Sequence, residues 1–252
     1  AKEWGGGGCR GGEEEGLGGC GGEGGVGMEM EMEGDLLPSG GVFNQAAAPF
    51  WASHHDGSLR GSSFEAVLNK PVPRETVGET LNLVKHILAE CSSTLVPSVR
   101  TGVHVHVNIR PLTVEQTFIY MLTFLLFEEA LVRYCGEDRQ GNLFCLRSQD
   151  AEAYLAALES AIRSNDFNKL YTDNLRYSAM NPKALCQYGS LEFRCLKTPA
   201  NLTAISEWVD LLLAVKDYSL TIKDPRDLIE LISIEGGHGV AVQCFGEERA
   251  AM

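Results

Sequence analysis

The alternation of methionine and glutamate in residues 28–33 is the feature that most limits how this chain can fold. Side chains of a β-strand point alternately to opposite faces of a sheet, so a repeat of two residues fits a strand and does not fit a helix. Such a strand places three methionines on one face and three glutamates on the other. The pattern predicts a sheet with one apolar, covered face and one acidic face.

Three further segments follow the same rule. Residues 102–107 place His104 and His106 opposite valines, and residues 191–195 place Glu192 and Arg194 opposite Leu, Phe and Cys. A short strand is also predicted over residues 63–68, where a glutamate lies between Phe and Ala. If the four strands pair in one sheet, a single face carries all their charged and imidazole side chains. These are Glu29, Glu31, Glu65, His104, His106, Glu192 and Arg194.

Segments with helical periodicity lie between and after these strands. They predict five helices, over residues 75–91, 113–135, 150–164, 202–218 and 225–233. Thr113 and Asp150 are the predicted caps of the second and third helix. Residues 35–61 are rich in Gly, Ser, Ala and Pro and are predicted to be a loop. Because strands and helices do not alternate regularly, the fold class is predicted to be α+β with a largely antiparallel sheet.

Glycine is concentrated at the start of the chain. Fourteen of the 28 glycines lie in residues 1–27, which contain little to bury and are predicted to be a disordered tail. Residues 28–235 are predicted to form one domain. Residues 236–252, which begin with another glycine-rich stretch, are predicted to be a flexible C-terminal tail.

Charge and composition exclude several classes of function. The net charge of −13 and the lack of a Lys/Arg stripe argue against nucleic acid as a partner and favour a cation. The longest apolar run, residues 118–127, is about half of what a bilayer crossing needs, so no membrane partner is expected. Eight cysteines without a CxxC pair, and no export signal, predict reduced thiols and a cytoplasmic location.

The predicted polar face holds more carboxylates than can stay charged without cations between them. Carboxylates with few histidines and no thiolate suit Mg²⁺ or Mn²⁺, and such ions beside an arginine are typical of phosphoryl transfer. Each strand alone also has an ordinary explanation: a solvated acidic face, histidines without function, or a weak surface ion pair. A His-x-His zinc hydrolase is a further alternative, but it requires later His or Asp ligands.

The polar residues lie in five blocks along the chain, at residues 27–31, 56–65, 102–107, 176–181 and 190–194. The blocks read Gly-Met-Glu-Met-Glu, Asp-Gly-Ser-Leu followed by Glu65, Gly-Val-His-Val-His-Val, Arg-Tyr-Ser-Ala-Met-Asn and Ser-Leu-Glu-Phe-Arg. In this order they resemble the amidoligases of phages and bacteria, which belong to the carboxylate–amine ligase superfamily with glutamine synthetase and glutamate–cysteine ligase. The resemblance extends from about Val26 to Ser219.

The resemblance implies an ATP-dependent ligase on a curved antiparallel sheet with helices on one face, requiring Mg²⁺ or Mn²⁺. It implies metal ligation by Glu29, Glu31, Glu65, His104 and Glu192. It implies nucleotide binding by His106, Arg194, Asn181 and Ser58, and catalytic roles for Arg194, Arg176 and Asp56. The partners would be ATP, a carboxylate and an amine, which react through an acyl phosphate. Loops 35–61 and 136–149 are candidates for shielding this intermediate from water, and passive connections are the alternative for such polar segments. The alternatives on the same fold are a phosphotransferase and a non-catalytic or virion-associated binding protein.

Overall fold

The computed structural model describes residues 25–151, 153–164 and 166–251, which form a mixed α/β fold around an open antiparallel sheet. The strands in these residues are β1 Val26–Asp35, β2 Trp51–His54, β3 Ser63–Leu68, β4 Thr94–Leu95, β5 Val103–Asn108, β6 Met180–Asn181 and β7 Ser190–Phe193. The helices are α1 Gly40–Ala47, α2 Val77–Glu90, α3 Val114–Tyr134, α4 Tyr154–Ser164, α5 Lys183–Tyr188, α6 Thr203–Thr221, α7 Pro225–Phe245 and α8 Glu247–Ala250.

The strand order is β2-β3-β1-β5-β7-β6, and β4 pairs with the end of β1. Each of these neighbouring pairs is antiparallel, which confirms the predicted class of sheet. The longest strand, β1, is bonded along both edges and therefore lies inside the sheet. The register places Glu31 opposite Glu65, Glu29 opposite His104, and His106 opposite Glu192.

The apolar face of the sheet is covered by helices. The three methionines of β1 are buried there, as the alternation predicts. On β7, the ring of Phe193 lies 4.9 Å from that of Phe124 and 5.9 Å from that of Tyr120, measured between centroids, and both partners belong to α3. Burial of these side chains away from water holds α3 against the sheet and leaves the opposite face for the polar residues.

Helices α2, α3 and α6 begin and end close to their predicted bounds, whereas α7 extends well past the predicted end at residue 233. Thr113 forms a capping box with Gln116 at the start of α3, so this predicted cap is confirmed. Asp150 does not cap α4, which begins only at Tyr154, because Ala153 has a φ of 65° and so lies outside the helical region. The Asp150 carboxylate pairs with Arg147 at 2.7 Å. Within the described ranges, no helix is both long and apolar enough to span a membrane.

The prediction of a loop over residues 35–61 is wrong, since α1 and β2 lie there. Phe43 of α1 is buried, and the indole of Trp51 in β2 donates to the carbonyl of Thr80 at 3.0 Å. Both elements are short, and α1 starts with two glycines, so the sequence carries little periodic signal. Residues 136–149 are also anchored: the amide of Leu146 donates to Tyr177, and the Leu146 carbonyl accepts from Ala179.

The structure bears differently on the two segments that were predicted to be tails. Residues 1–24 lie outside the described residues, whereas Val26 is fully buried in β1 and exchanges two hydrogen bonds with Val72. The ordered domain therefore starts at least two residues before the predicted boundary. At the other end, the expected flexible segment is helical: α7 bends at Gly236, whose φ is 71°, and continues to Phe245. The bend brings Phe245 within 5.0 Å of the Phe127 ring, and Val240 is buried.

Candidate functional site

Glu29 lies at the centre of the polar face, between the two histidines of β5. Its Oε2 is 2.9 Å from Nδ1 of His104, and its Oε1 is 3.4 Å from Nε2 of His106. This arrangement follows from the register, because the cross-strand partner of Glu29 is His104 and both histidines share one face. The single carboxylate therefore joins the two imidazoles that the sequence predicted to lie together.

Glu192 forms a second centre on β7, where it is buried. One of its oxygens accepts from Nη1 of Arg194, and the other accepts from Nδ2 of Asn181 at 2.6 Å. Nδ1 of His104 lies 3.6 Å from Glu192 Oε1 and 3.4 Å from Arg194 Nη1. Glu192 of β7 and Arg194, which follows the end of this strand, thus form the predicted pair, and both lie close to the histidine of the neighbouring strand.

Glu31 is the most deeply placed carboxylate on β1, with 8% of its surface exposed. The backbone amide of Gly102 donates to its Oε2 at 2.7 Å, and Nε2 of His104 lies 3.8 Å from its Oε1. A Cβ added at Gly102 would lie 3.2 Å from Glu31 Oε2 and 3.4 Å from His104 Nε2. Glycine at this position therefore lets the backbone approach the carboxylate closely.

Three overlapping groups of side chains could each hold a cation. In each group, one ligand atom from every residue lies within 4.8 Å of the others. The groups are Glu29 with Glu65 and His104, Glu29 with His106 and Glu192, and Glu31 with Asp56 and Glu65. All five ligands that the resemblance implies, and Asp56, which it gives a catalytic role, therefore lie in one continuous cluster, called here the acidic cluster.

Burial raises the pKa of two carboxyl groups in the cluster. It raises the pKa of Glu65 to about 7, with a further contribution from the negative charge of Glu29. Burial also raises the pKa of Glu31, against the opposing charge of His104. These two groups hold protons more tightly than ordinary carboxyl groups because burial removes the solvent that would stabilise their charge, and the nearby positive charge does not make up for it.

The other two central carboxyl groups are stabilised in their charged form. Burial acts to raise the pKa of Glu29, but hydrogen bonding to His104 and His106 outweighs it and holds the pKa well below its usual range. Burial likewise opposes the charged form of Glu192, and the Arg194 guanidinium outweighs it and lowers the pKa. For His106, burial favours the neutral ring, but the Glu29 carboxylate raises its pKa.

The donor atoms of the acidic cluster fit a hard divalent cation. Carboxylate oxygens outnumber imidazole nitrogens, and no thiol belongs to the three groups. This composition suits Mg²⁺ or Mn²⁺ better than a structural zinc site. Burial and the charge of Glu29 raise the pKa of Glu65, and a cation bound beside it would favour its charged form.

Two predicted residues lie at the margin of the cluster or outside it. The guanidinium carbon of Arg176 lies 4.9 Å from the ring centroid of Tyr177 on an exposed surface, and the structure does not place it in the acidic cluster. The backbone amide of Ser58 donates to Asp56 Oδ1 at 2.7 Å, and its carbonyl accepts from Arg100. The backbone of Ser58 thus holds Asp56, and a nucleotide contact by its hydroxyl stays a prediction.

Two residues that were not among the predicted site residues support the cluster. Arg139, with 2% of its surface exposed, donates to the carbonyls of Cys195 and Arg194 at 2.7 and 2.8 Å and fixes the end of β7. Nothing in its polar segment distinguishes Arg139 from a surface residue. The hydroxyl of Ser190 lies 3.1 Å from Nδ1 of His106. The alternation could have identified Ser190, because it shares the face of Glu192.

A comparison with models of protein families finds no match for this sequence, and a comparison with curated proteins finds none either.

Proposed function

We propose that this chain is an ATP-dependent carboxylate–amine ligase that forms an amide bond through an acyl phosphate. The observation that carries the proposal is the acidic cluster itself, in which three overlapping ligand groups lie beside the guanidinium of Arg194. The open antiparallel sheet with helices on its apolar face supports a catalytic domain of the glutamine synthetase and glutamate–cysteine ligase type.

Five members of the acidic cluster would hold divalent cations: Glu29, Glu31, Glu65, His104 and Glu192. When bound, Mg²⁺ or Mn²⁺ would neutralise charge on the triphosphate. Arg194 lies within reach of the same region, since its Nη1 contacts Glu192 and lies 3.4 Å from His104. Its planar guanidinium suits two oxygens of a transferring phosphoryl group and would stabilise the charge that develops there.

The proposed reaction has two steps. A substrate carboxylate oxygen attacks the γ-phosphorus of ATP, which releases ADP and leaves an acyl phosphate. The amine nitrogen then attacks the acyl carbon, loses a proton and displaces phosphate. Water would hydrolyse the acyl phosphate if it reached it. Next to Arg194, the Phe144 carbonyl accepts from the Arg194 Nε at 3.4 Å, and the rings of Phe144 and Tyr177 pack edge to face. This apolar rim would limit access of water.

The test is ATP turnover by the full chain with Mg²⁺ and a pool of amino acids, polyamines and peptides. Release of ADP together with a new amide mass supports the ligase. ADP with a stable phosphorylated product supports the phosphotransferase, and the absence of nucleotide binding supports a non-catalytic protein. Arg194→Ala should lower turnover by orders of magnitude. Arg163→Ala is the matched control, because Arg163 is exposed, pairs with Glu159 on its own helix and does not belong to the acidic cluster.

A further inference from the structure

Asn181 is held so that its amide group faces Glu192. The two residues are cross-strand partners on β6 and β7, and both are buried, with 5% and 6% of their surfaces exposed. The amide nitrogen donates to Glu192 Oε2 at 2.6 Å. The other end of the same amide accepts from the backbone amide of Lys183 at 2.9 Å. These two contacts fix which end of the amide faces the carboxylate, because only the nitrogen end can donate.

The position of Glu192 is in turn set from both sides. Asn181 holds one of its oxygens and Arg194 holds the other. In this orientation Glu192 belongs to the candidate ligand group with Glu29 and His106. The amide of Asn181 is neutral, so it keeps the Glu192 carboxylate in place without competing with a cation for its negative charge. The ammonium group of a lysine at this site would compete.

We propose that Asn181 is a positioning residue, which orients the Glu192 carboxylate for a divalent cation and does not itself bind the nucleotide. The inference rests on the proposed function, because it assumes that Glu192 ligates the cation. It replaces the role that the resemblance implies for Asn181, a contact with the nucleotide. The two roles differ in one measurable respect: an orienting residue affects cation binding when no nucleotide is present.

The experiment measures Mn²⁺ binding to the full chain by calorimetry without nucleotide, and then ATP binding in the presence of Mn²⁺. The variants are Asn181→Ala and Asn181→Ser. The serine hydroxyl is too short to reach Glu192 but can still accept from Lys183, so this variant keeps the local turn. Met180→Ala is the matched control, because Met180 is buried in the same short strand on the opposite face.

Both Asn181 variants should weaken Mn²⁺ binding by about 10- to 100-fold, as loss of residues that orient metal ligands commonly does. Met180→Ala should bind Mn²⁺ as the wild type does, even where it lowers the melting temperature. If the Asn181 variants bind Mn²⁺ normally and lose affinity only for ATP, Asn181 contacts the nucleotide and the inference is wrong. A wild-type chain that binds no Mn²⁺ would overturn the proposed function and the inference together.

Discussion

Replacement of Glu65 by glutamine should make the cation-free protein more stable at pH 8. The pKa of Glu65 is raised to about 7 from its ordinary value of 4.5, mainly by burial and then by the charge of Glu29. A carboxyl group with a raised pKa favours the folded state while it is protonated. This contribution is lost as the pH rises from about 4.5 through about 7, where the folded protein must carry the buried charge. Glutamine is neutral at every pH and removes this cost.

The magnitude follows from the difference between the two pKa values. A tenfold change in proton affinity corresponds to about 1.4 kcal/mol, so the full cost at pH 8 is about 3 kcal/mol. Partial exposure of Glu65 to solvent reduces the value, and a gain of about 1–3 kcal/mol in the free energy of unfolding is expected. At pH 5 the cost is below about 1 kcal/mol, because the folded protein then keeps the proton.

The assay is urea unfolding of wild type and Glu65→Gln at pH 5 and pH 8, with EDTA and then with excess Mg²⁺. In EDTA the variant should be more stable than the wild type at pH 8 and nearly equal to it at pH 5. Excess Mg²⁺ should stabilise the wild type more than the variant, because the variant lacks one charged ligand. Equal stability of the two proteins at pH 8 in EDTA would refute the claim that folding raises the pKa of Glu65. An equal response to Mg²⁺ would remove it from the ligand set.

Three further predictions concern the ends of the domain and the ion pair on β7. Deletion of residues 1–24 should leave the melting temperature unchanged, whereas Val26→Ala should lower the free energy of unfolding by about 1–2 kcal/mol, because Val26 is fully buried; equal melting temperatures for both changes would contradict this. Without Mg²⁺, Arg194→Ala should lower the free energy of unfolding by about 2–4 kcal/mol, since it leaves the buried Glu192 carboxylate without its guanidinium partner, and thermal scans with EDTA should detect the loss. Gly236→Ala should lower the free energy of unfolding, measured in urea, by about 1 kcal/mol, because φ at this residue is 71° and a side chain is unfavourable there. An unchanged urea midpoint would show that the bend in α7 is not required.

The alternation of residues was sufficient to predict the strands that carry the site. Residues 28–33 and 63–68 are strands in the structure, and the polar side chains of β1, β5 and β7 share one face as predicted. A period of two is a local property, so it can be read without knowledge of the partner strand. The same reasoning failed for α1 and β2, whose eight and four residues are too short to establish a period.

Contacts between distant parts of the chain could not be predicted in this way. The chain brings the guanidinium of Arg139 to the carbonyls at the end of β7, more than fifty residues later, and no local pattern encodes that approach. Likewise, the sequence shows Asn181 in a polar block, but only the pairing of β6 with β7 shows that its amide meets Glu192. The bend at Gly236 is another case: beyond it, the ring of Phe245 packs against Phe127 of α3, and no local pattern shows this contact.

The sequence by itself determined which side chains share a face, because the direction of a side chain in a strand depends only on the parity of its position. It therefore determined that carboxylates, imidazoles and one guanidinium lie on one face, opposite apolar side chains, once their strands pair in one sheet. Tertiary structure alone decided the register, which pairs Glu29 with His104 and Glu31 with Glu65, and so decided which oxygens lie within reach of one cation. It also decided how much water each carboxylate loses, and this loss of solvation raises the pKa of Glu65 to about 7.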